Sequence, residues 1–407
     1  MTRSSAMSDG QSPNRYASRW LLDPEIAFLN HGSFGACPIE VLACQQRLRD
    51  RLERQPVQFF VRDFEGLLDA ARTTVAGFLG GDPQGFAWVP NATNGVNAVL
   101  GSLDLQPGDE LLTTNHEYNA CRNALDHVCE RAGARVIVAD IPFPVASTAQ
   151  VTEAIMDRVT PRTRLALLDH NTSQTALVLP IAEIVAALAE KGVATLVDGA
   201  HAPGMLALSL DDIGADYYTG NCHKWLCAPK GAGFLYVRED HRQQVRPPVI
   251  SHGANSPRKD RSRYLIEFDW VGTDDPTAIL TVPDSIHYMG SLLPGGWEAL
   301  RDHNRRLVLA ARDLVCEALA IDAPCPDDMI GSLASFPLPD GDGTLSQSPL
   351  YADPLQDVLL DRFAIEVPVI PWPAPPARLV RISAQIYNDL GQYERLGQAL
   401  RELCGPA

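Results

Sequence analysis

The chain has 407 residues, 45% of them hydrophobic and 21% charged, enough to bury a substantial core divided between two domains. Its 50 acidic residues against 34 basic ones leave a net charge of -16, which favours solubility and argues against a nucleic-acid partner. No apolar run approaches the ~20 residues of a membrane span, so no membrane association is expected.

Residues 1–19, MTRSSAMSDGQSPNRYASR, are polar, lack the apolar stretch of a signal peptide and are expected to form a disordered tail. Apolar residues then recur at helical spacing from Pro38 to about Gln55 and from Arg62 to Leu79. Short apolar runs predict strands at Phe86–Val89, Glu110–Thr113, Arg135–Ala139, Arg164–Asp169, Ala194–Asp198 and Gly233–Val237. Helical patterns fall between several of them, at Asn94–Ser102, Tyr118–Ala132, Thr152–Arg158 and Ile181–Lys191. Such alternation predicts an α/β fold with a mostly parallel sheet covered on both faces, and a ligand site beyond the carboxyl ends of its strands. After Ile250 comes a polar, basic segment, SHGANSPRKDRSR, then a helical stretch from about Pro276 to Leu319, interrupted near Pro294-Gly295-Gly296. Short strands, a proline-rich loop and a final helix come after it. We divide the chain into a large unit over 20–285 and a connecting helix with a small C-terminal domain over 286–407. The nine cysteines are scattered, odd in number and without a CxxC pair. They fit neither a disulfide framework nor a zinc site, so no metal is expected and reduced thiols in a cytoplasm are.

Three stretches carry the chemistry. In VPNATNGVN a strand ends and Asn91, Ala92, Thr93, Asn94 and Gly95 lead into a helix; free N–H groups and the helix dipole there attract phosphate, although an ordinary N-cap has the same look. In TLVDGAHAPG a buried strand ends in Asp198, a carboxylate placed either to cap the next helix or to pair with a protonated ring nitrogen. In GNCHKWLCAPKGAGFLYV, Lys224 stands among small and apolar residues, either a surface charge beside them or an amine held in a pocket because it is needed. Together they are the parts of a pyridoxal 5'-phosphate site: an amine for the imine, an acid for the pyridine nitrogen, and a helix N-terminus for the phosphate.

The segment VDGAHAPG…DYYTGNCHKWLCAPKGAGFLYVR resembles class V aminotransferases of PLP fold type I, and FLNHGSFGACP (Phe28–Pro38) resembles their isopenicillin N epimerase-like branch. The resemblance covers about Leu29 to Leu396. It implies a seven-stranded, mostly parallel sheet in the large domain and a small α/β domain. It also implies that Lys224 carries the imine and moves the Cα proton, that Asp198 keeps the ring nitrogen protonated, and that His201 lies near the phenolic oxygen or the substrate. Thr93 and the backbone at Ala92, with Asn221 and His223, would hold the phosphate. Ser173 would bond the ring oxygen. Tyr118 would stack on the ring, with His116 and Glu117 the alternatives for that place. Thr273 would reach the phosphate of the neighbouring subunit in a homodimer. Arg381 would clamp the substrate carboxylate, with Asn30 and His31 at the substrate mouth. For the reaction it implies loosening of a Cα bond in an amino-acid-type substrate, with epimerisation first, C–S lysis of a cysteine S-conjugate second and transamination third. A non-catalytic PLP-binding module is disfavoured, because Lys224, Asp198 and Arg381 are all present. A desulfurase is disfavoured because the segment from Asp353 to Arg378 contains no cysteine.

Overall fold

The computed structural model describes residues 14–343, 350 and 353–405. Its strands, in chain order, are β1 (Ala27–Phe28), β2 (Phe86–Val89), β3 (Glu110–Thr114), β4 (Arg135–Ala139), β5 (Thr163–Asp169), β6 (Ala194–Asp198), β7 (Tyr217–Asn221), β8 (Gly233–Val237), β9 (Leu333–Leu338), β10 (Ile365–Glu366), β11 (Val369–Pro371) and β12 (Arg378–Ser383). Seven of them form the central sheet in the order β2-β8-β7-β6-β5-β3-β4. β8 runs antiparallel to both neighbours, and the remaining pairs are parallel. The middle strands β5, β6 and β7 are buried on both faces, which is why β5 and β6 read as continuous apolar runs rather than alternations.

All six strands expected from the sequence are present. The seventh of the sheet is β7, whose sequence YYTGN ends in two turn-forming residues and carries no aliphatic side chain. It is nonetheless fully buried, because strands on both sides complete its hydrogen bonds. Two helix starts move to where a cap is available. The helix Ala92–Gly101 begins earlier than the apolar pattern because the Asn91 side chain accepts from Asn94 N–H. Thr148–Met156 begins earlier because Ser147 caps it. The long C-terminal helical pattern resolves into Thr277–Leu280, Val282–Gly290 and Gly296–Leu319, parted at the expected Pro-Gly-Gly.

A second sheet, β11-β12-β9, is antiparallel and belongs to the C-terminal part, where Gly296–Leu319 packs against Leu390–Cys404. The N-terminal segment also reaches the C-terminal part: β1 pairs in parallel with β10. Not all of 1–19 is a free tail. Asn14 Nδ2 donates to the carbonyls of Ile386 and Asn388, both at 2.8 Å, and Tyr16 is buried in a cluster with Trp20 and Tyr387. Residues 1–13 lie outside the described residues.

The carboxyl ends of β5, β6 and β7 open on one edge of the sheet, where the loops after them carry Ser173, His201 and Lys224. The helix Ala92–Gly101 is held against β7 by a glycine: a Cβ at Gly95 would stand 2.1 Å from Thr219 Oγ1. Gly95→Ala therefore pushes this helix off the sheet. We expect a loss of about 1–3 kcal/mol in denaturant unfolding, together with weaker binding of pyridoxal phosphate in an absorbance titration.

Candidate active site

Lys224 follows β7 on a loop pinned from several sides. Gly35, at φ +69°, comes so close that a Cβ there would lie 2.1 Å from the His223 carbonyl oxygen and 3.0 Å from Lys224 Cα. His31 donates from Nε2 to the Lys224 carbonyl at 3.1 Å, and its Nδ1 lies 2.8 Å from the Tyr387 hydroxyl. The Lys224 amine itself is 3.1 Å from His201 Nε2. Burial lowers its pKa to about 8, and the charge on Arg381 adds to the effect, against the opposing pull of Asp198 and Asp169. An amine in that range is available both as a nucleophile and as a proton carrier near neutral pH.

Three buried carboxyls share the floor of this crevice. Asp198 and Asp169 end adjacent strands and are register partners, while Glu117 precedes the helix Asn119–Ala132. Burial pushes Glu117 and Asp169 well above the usual carboxylate range, and the other acids add to it. Each has one buried oxygen with no partner among the described residues. Burial raises Asp198 as well, but Ala200 N–H at 2.8 Å and the Cys121 thiol at 3.2 Å donate to its two oxygens and oppose the rise. Asp198 is thus the acid of the three best held as an anion, and it is the one facing the amine from the neighbouring strand.

At the helix Ala92–Gly101 the structure amends the sequence reading. Ala92 N–H is not free, because it donates to Asn221 Oδ1 at 2.9 Å. The open donors at this N-terminus are the N–H and hydroxyl of Thr93, which make no hydrogen bond among the described residues. Asn221 thereby ties β7 to the helix start. His223 Nδ1 lies 3.0 Å from the Ala232 carbonyl, and burial lowers its pKa to about 4.

Arg381, on β12, brings the second sheet to the same place. It is 2% exposed, and among the described residues no carboxylate pairs with it. Its Nη1 donates to the Ser173 carbonyl at 2.6 Å, its Nη2 to Ser33 Oγ at 2.9 Å, and its Nε has no partner. Burial lowers its pKa to about 10. A buried cation with no counter-ion is costly unless a ligand supplies the anion. Ser173 stands beside it, its Oγ 3.4 Å from Nη1.

The remaining candidates divide. Tyr118, at the N-cap of Asn119–Ala132, is 40% exposed and its phenol bears electrostatically on Arg381. His116 is fully buried, with Nδ1 2.6 Å from Thr175 Oγ1 and Nε2 2.9 Å from the Ile141 carbonyl, so its ring is committed to the core. His31, expected at the substrate mouth, is behind the lysine instead, with both ring nitrogens engaged and its pKa lowered to about 3 by burial. Asn30 accepts from the Ser33 hydroxyl, one step removed from Arg381. Thr273 is exposed on the loop between Arg263–Phe268 and Thr277–Leu280. Sequence reasoning missed Ser33, Cys121 and Asp169. The first was legible only as part of HGSFG, and the other two look like ordinary core or strand-end residues.

These residues suit pyridoxal phosphate: an amine near neutrality, an anionic carboxyl one strand away, open donors at a helix start, and a buried guanidinium lacking its anion. Fold and site together define a PLP-dependent enzyme of fold type I. A protein-family model of the class-V aminotransferases matches residues 54–329. The chain belongs to that family. It is 35% identical to an isopenicillin N epimerase of Amycolatopsis lactamdurans, over 94% of this chain and 96% of that protein. It is 32% identical to a putative L-cysteine desulfhydrase of Oryza sativa subsp. japonica, over 93% and 83%. Among solved structures, the cystine C-S lyase C-DES in complex with cysteine persulfide superposes with a TM-score of 0.77 at 22% identity, over 94% of this chain and 99% of that one. A cysteine desulfurase, CsdA of Escherichia coli, gives 0.75 at 20%, over 97% and 100%.

Lys224→Ala should leave no visible absorption band after pyridoxal phosphate is added and free cofactor removed, and a retained band would refute the assignment. Arg381→Leu removes a cation that holds the Lys224 pKa down. The Lys224 midpoint should therefore rise above about 8 in a pH titration of amine labelling. KM for amino-acid substrates should increase about 100-fold or more as the charge-assisted carboxylate contact is lost.

Proposed function

We propose that the chain removes the Cα proton of an amino-acid-type substrate from one face and that a solvent-derived proton is delivered to the opposite face, as in an epimerase. The observation that carries this reading is the unpaired Arg381 guanidinium in the same crevice as the Lys224 amine. Arg381 takes the substrate carboxylate through Nε and the outer face of its amines, the geometry guanidinium offers to two oxygens. Lys224, with a pKa of about 8, is matched to taking the proton from its own face of Cα at neutral pH. Pyridoxal phosphate, when bound, supplies the electron sink that makes a Cα proton acidic. Asp198, whose charge Ala200 N–H and the Cys121 thiol support, would pair with the ring nitrogen. Tyr118 would cover the ring, Ser173 and His201 would serve its oxygen, and Thr93 with Asn221 and His223 would hold the phosphate.

Its 35% identity to isopenicillin N epimerases favours that outcome for the proton. A second reading, elimination at Cβ with C–S cleavage, is supported by the cysteine desulfhydrases at 32% identity. Sulfur transfer to the enzyme is set aside, since no cysteine lies between Asp353 and Arg378. We place the protein in a homodimer in which Thr273 reaches the neighbouring phosphate; the exposure of Thr273, Phe34 and Ile39 supports a covering partner. No helix among the described residues is long and apolar enough to cross a membrane. Nine cysteines, all unpaired, support a reducing, cytoplasmic location.

The deciding measurement is mass spectrometry after incubation of the holoenzyme in heavy water with free amino acids and cysteine S-conjugates. Deuterium at Cα without bond loss, with inversion on chiral analysis, is the expected result. Pyruvate and a released thiol would replace the epimerase with the lyase. Turnover to a keto acid without loss of a Cβ group would overturn both.

A further inference from the structure

We propose that Trp225 is a positioning residue: its indole N–H fixes His201 in the Nε2–H tautomer and so holds the Lys224 amine in its neutral form. The inference rests on the reading that Lys224 is the amine that takes the cofactor. Trp225 Nε1 lies 3.4 Å from His201 Nδ1. An indole nitrogen can only donate, so Nδ1 must be the accepting, unprotonated nitrogen. His201 itself is 2% exposed. Burial, with the neighbouring Lys224 and Arg381 charges, keeps its pKa well below the usual histidine value. A neutral imidazole with a bare Nδ1 carries its one proton on Nε2, and Nε2 is 3.1 Å from Lys224 Nζ. That N–H needs a lone pair to point at, and only an unprotonated amine has one.

Protonating Lys224 reverses every bond in the row. An ammonium can only donate, so Nε2 would have to accept and the imidazole proton would move to Nδ1. There it would face the indole N–H, two donors opposed in a buried place, and the Trp225 bond would be lost. The row Trp225, His201, Lys224 therefore has one satisfied arrangement, and in it the lysine is neutral.

Trp225 is held firmly enough to enforce this. It is among the largest fully buried side chains, packed with Ala176, Met205 and Leu333, and its ring centroid is 4.9 Å from that of His31. Its backbone is pinned as well: a Cβ at Gly204, where φ is +89°, would lie 2.6 Å from the Trp225 carbonyl carbon. The other groups that act on Lys224 come from separate elements. Arg381 on β12 lowers its pKa, while Asp198 on β6, Asp169 on β5 and Cys121 on the helix Asn119–Ala132 raise it. His31 and His223 complete the charge-bearing surroundings of His201. Among the described residues the indole N–H bonds none of these charged groups and only His201, so removing it reads that bond separately from their charges.

The test uses the full-length chain freed of cofactor. With ¹⁵N-labelled histidine, long-range ¹H–¹⁵N correlation identifies the His201 tautomer directly, the signals being assigned by their loss in His201→Gln. Wild type should show a protonated Nε2 and a bare Nδ1, and the reverse pattern would overturn the proposal even without a variant. In Trp225→Phe the Nδ1–H form should become populated. Competitive labelling of Lys224 by acetic anhydride, read by peptide mass spectrometry, should show its midpoint raised by about one unit. That is tenfold less neutral amine at a given pH, the size expected for one hydrogen bond. A Trp225→Phe protein with a lower Tm and an unmoved Lys224 midpoint would mark the indole as packing alone and sink the idea. The cofactor reading fails separately, as absence of a visible band when pyridoxal phosphate is added to wild type, and that result leaves the tautomer and titration readouts intact.

Discussion

Two basic side chains, Lys224 and Arg381, are brought into one buried crevice with no carboxylate paired to either among the described residues, and most of the surrounding architecture answers to that arrangement. Burial costs each side chain its hydration, and the Arg381 charge further lowers the affinity of Lys224 for its proton. For Lys224 the result is an amine close to neutrality. For Arg381 it is an open guanidinium edge that a carboxylate would satisfy. The strain of holding both is met by backbone rather than by counter-ions: the Ser173 carbonyl accepts from Arg381, and His31 braces the Lys224 carbonyl.

The same constraint explains the division of labour among the three acids. Only one of them can easily be ionised beneath the amine, because charges so close cannot all be carried in a low dielectric. Donors decide which. Asp198 has a backbone N–H and a thiol. Glu117 has one oxygen bonded to Thr113 and the other unpaired, and Asp169 has an unpaired oxygen. Placing the best-supported carboxylate at the end of β6, next to β7, puts the negative charge where a protonated ring nitrogen would need it.

The N-terminal segment ties the two sheets to the site. β1 joins β10, His31 reaches the lysine, Gly35 packs on its backbone, and Ser33 reaches Arg381 on the second sheet. One short stretch, HGSFG, thus touches both basic residues. Its glycines are required by contact distance and by a positive φ at Gly35, and its histidine and serine by their bonds.

The sequence by itself determined the α/β class, six of the seven central strands, and the identity of Lys224, Asp198 and Thr93 as residues of chemical interest, while Arg381 came from the family resemblance. These features are local: apolar runs, caps and motif spacing are properties of neighbouring residues along the chain. What tertiary structure decided depends on residues far apart in sequence. β7 is a strand because β6 and β8 complete it, although YYTGN does not read as one. His31 is a brace because Tyr387 closes on its far nitrogen, and His116 is a core residue because Thr175 and Ile141 take both of its nitrogens. The Ala92 N–H donates to Asn221, 129 residues away, a partner no local spacing shows. Burial and hydrogen-bond partners set what an ionisable group does, and neither is written in the spacing of the groups along the chain.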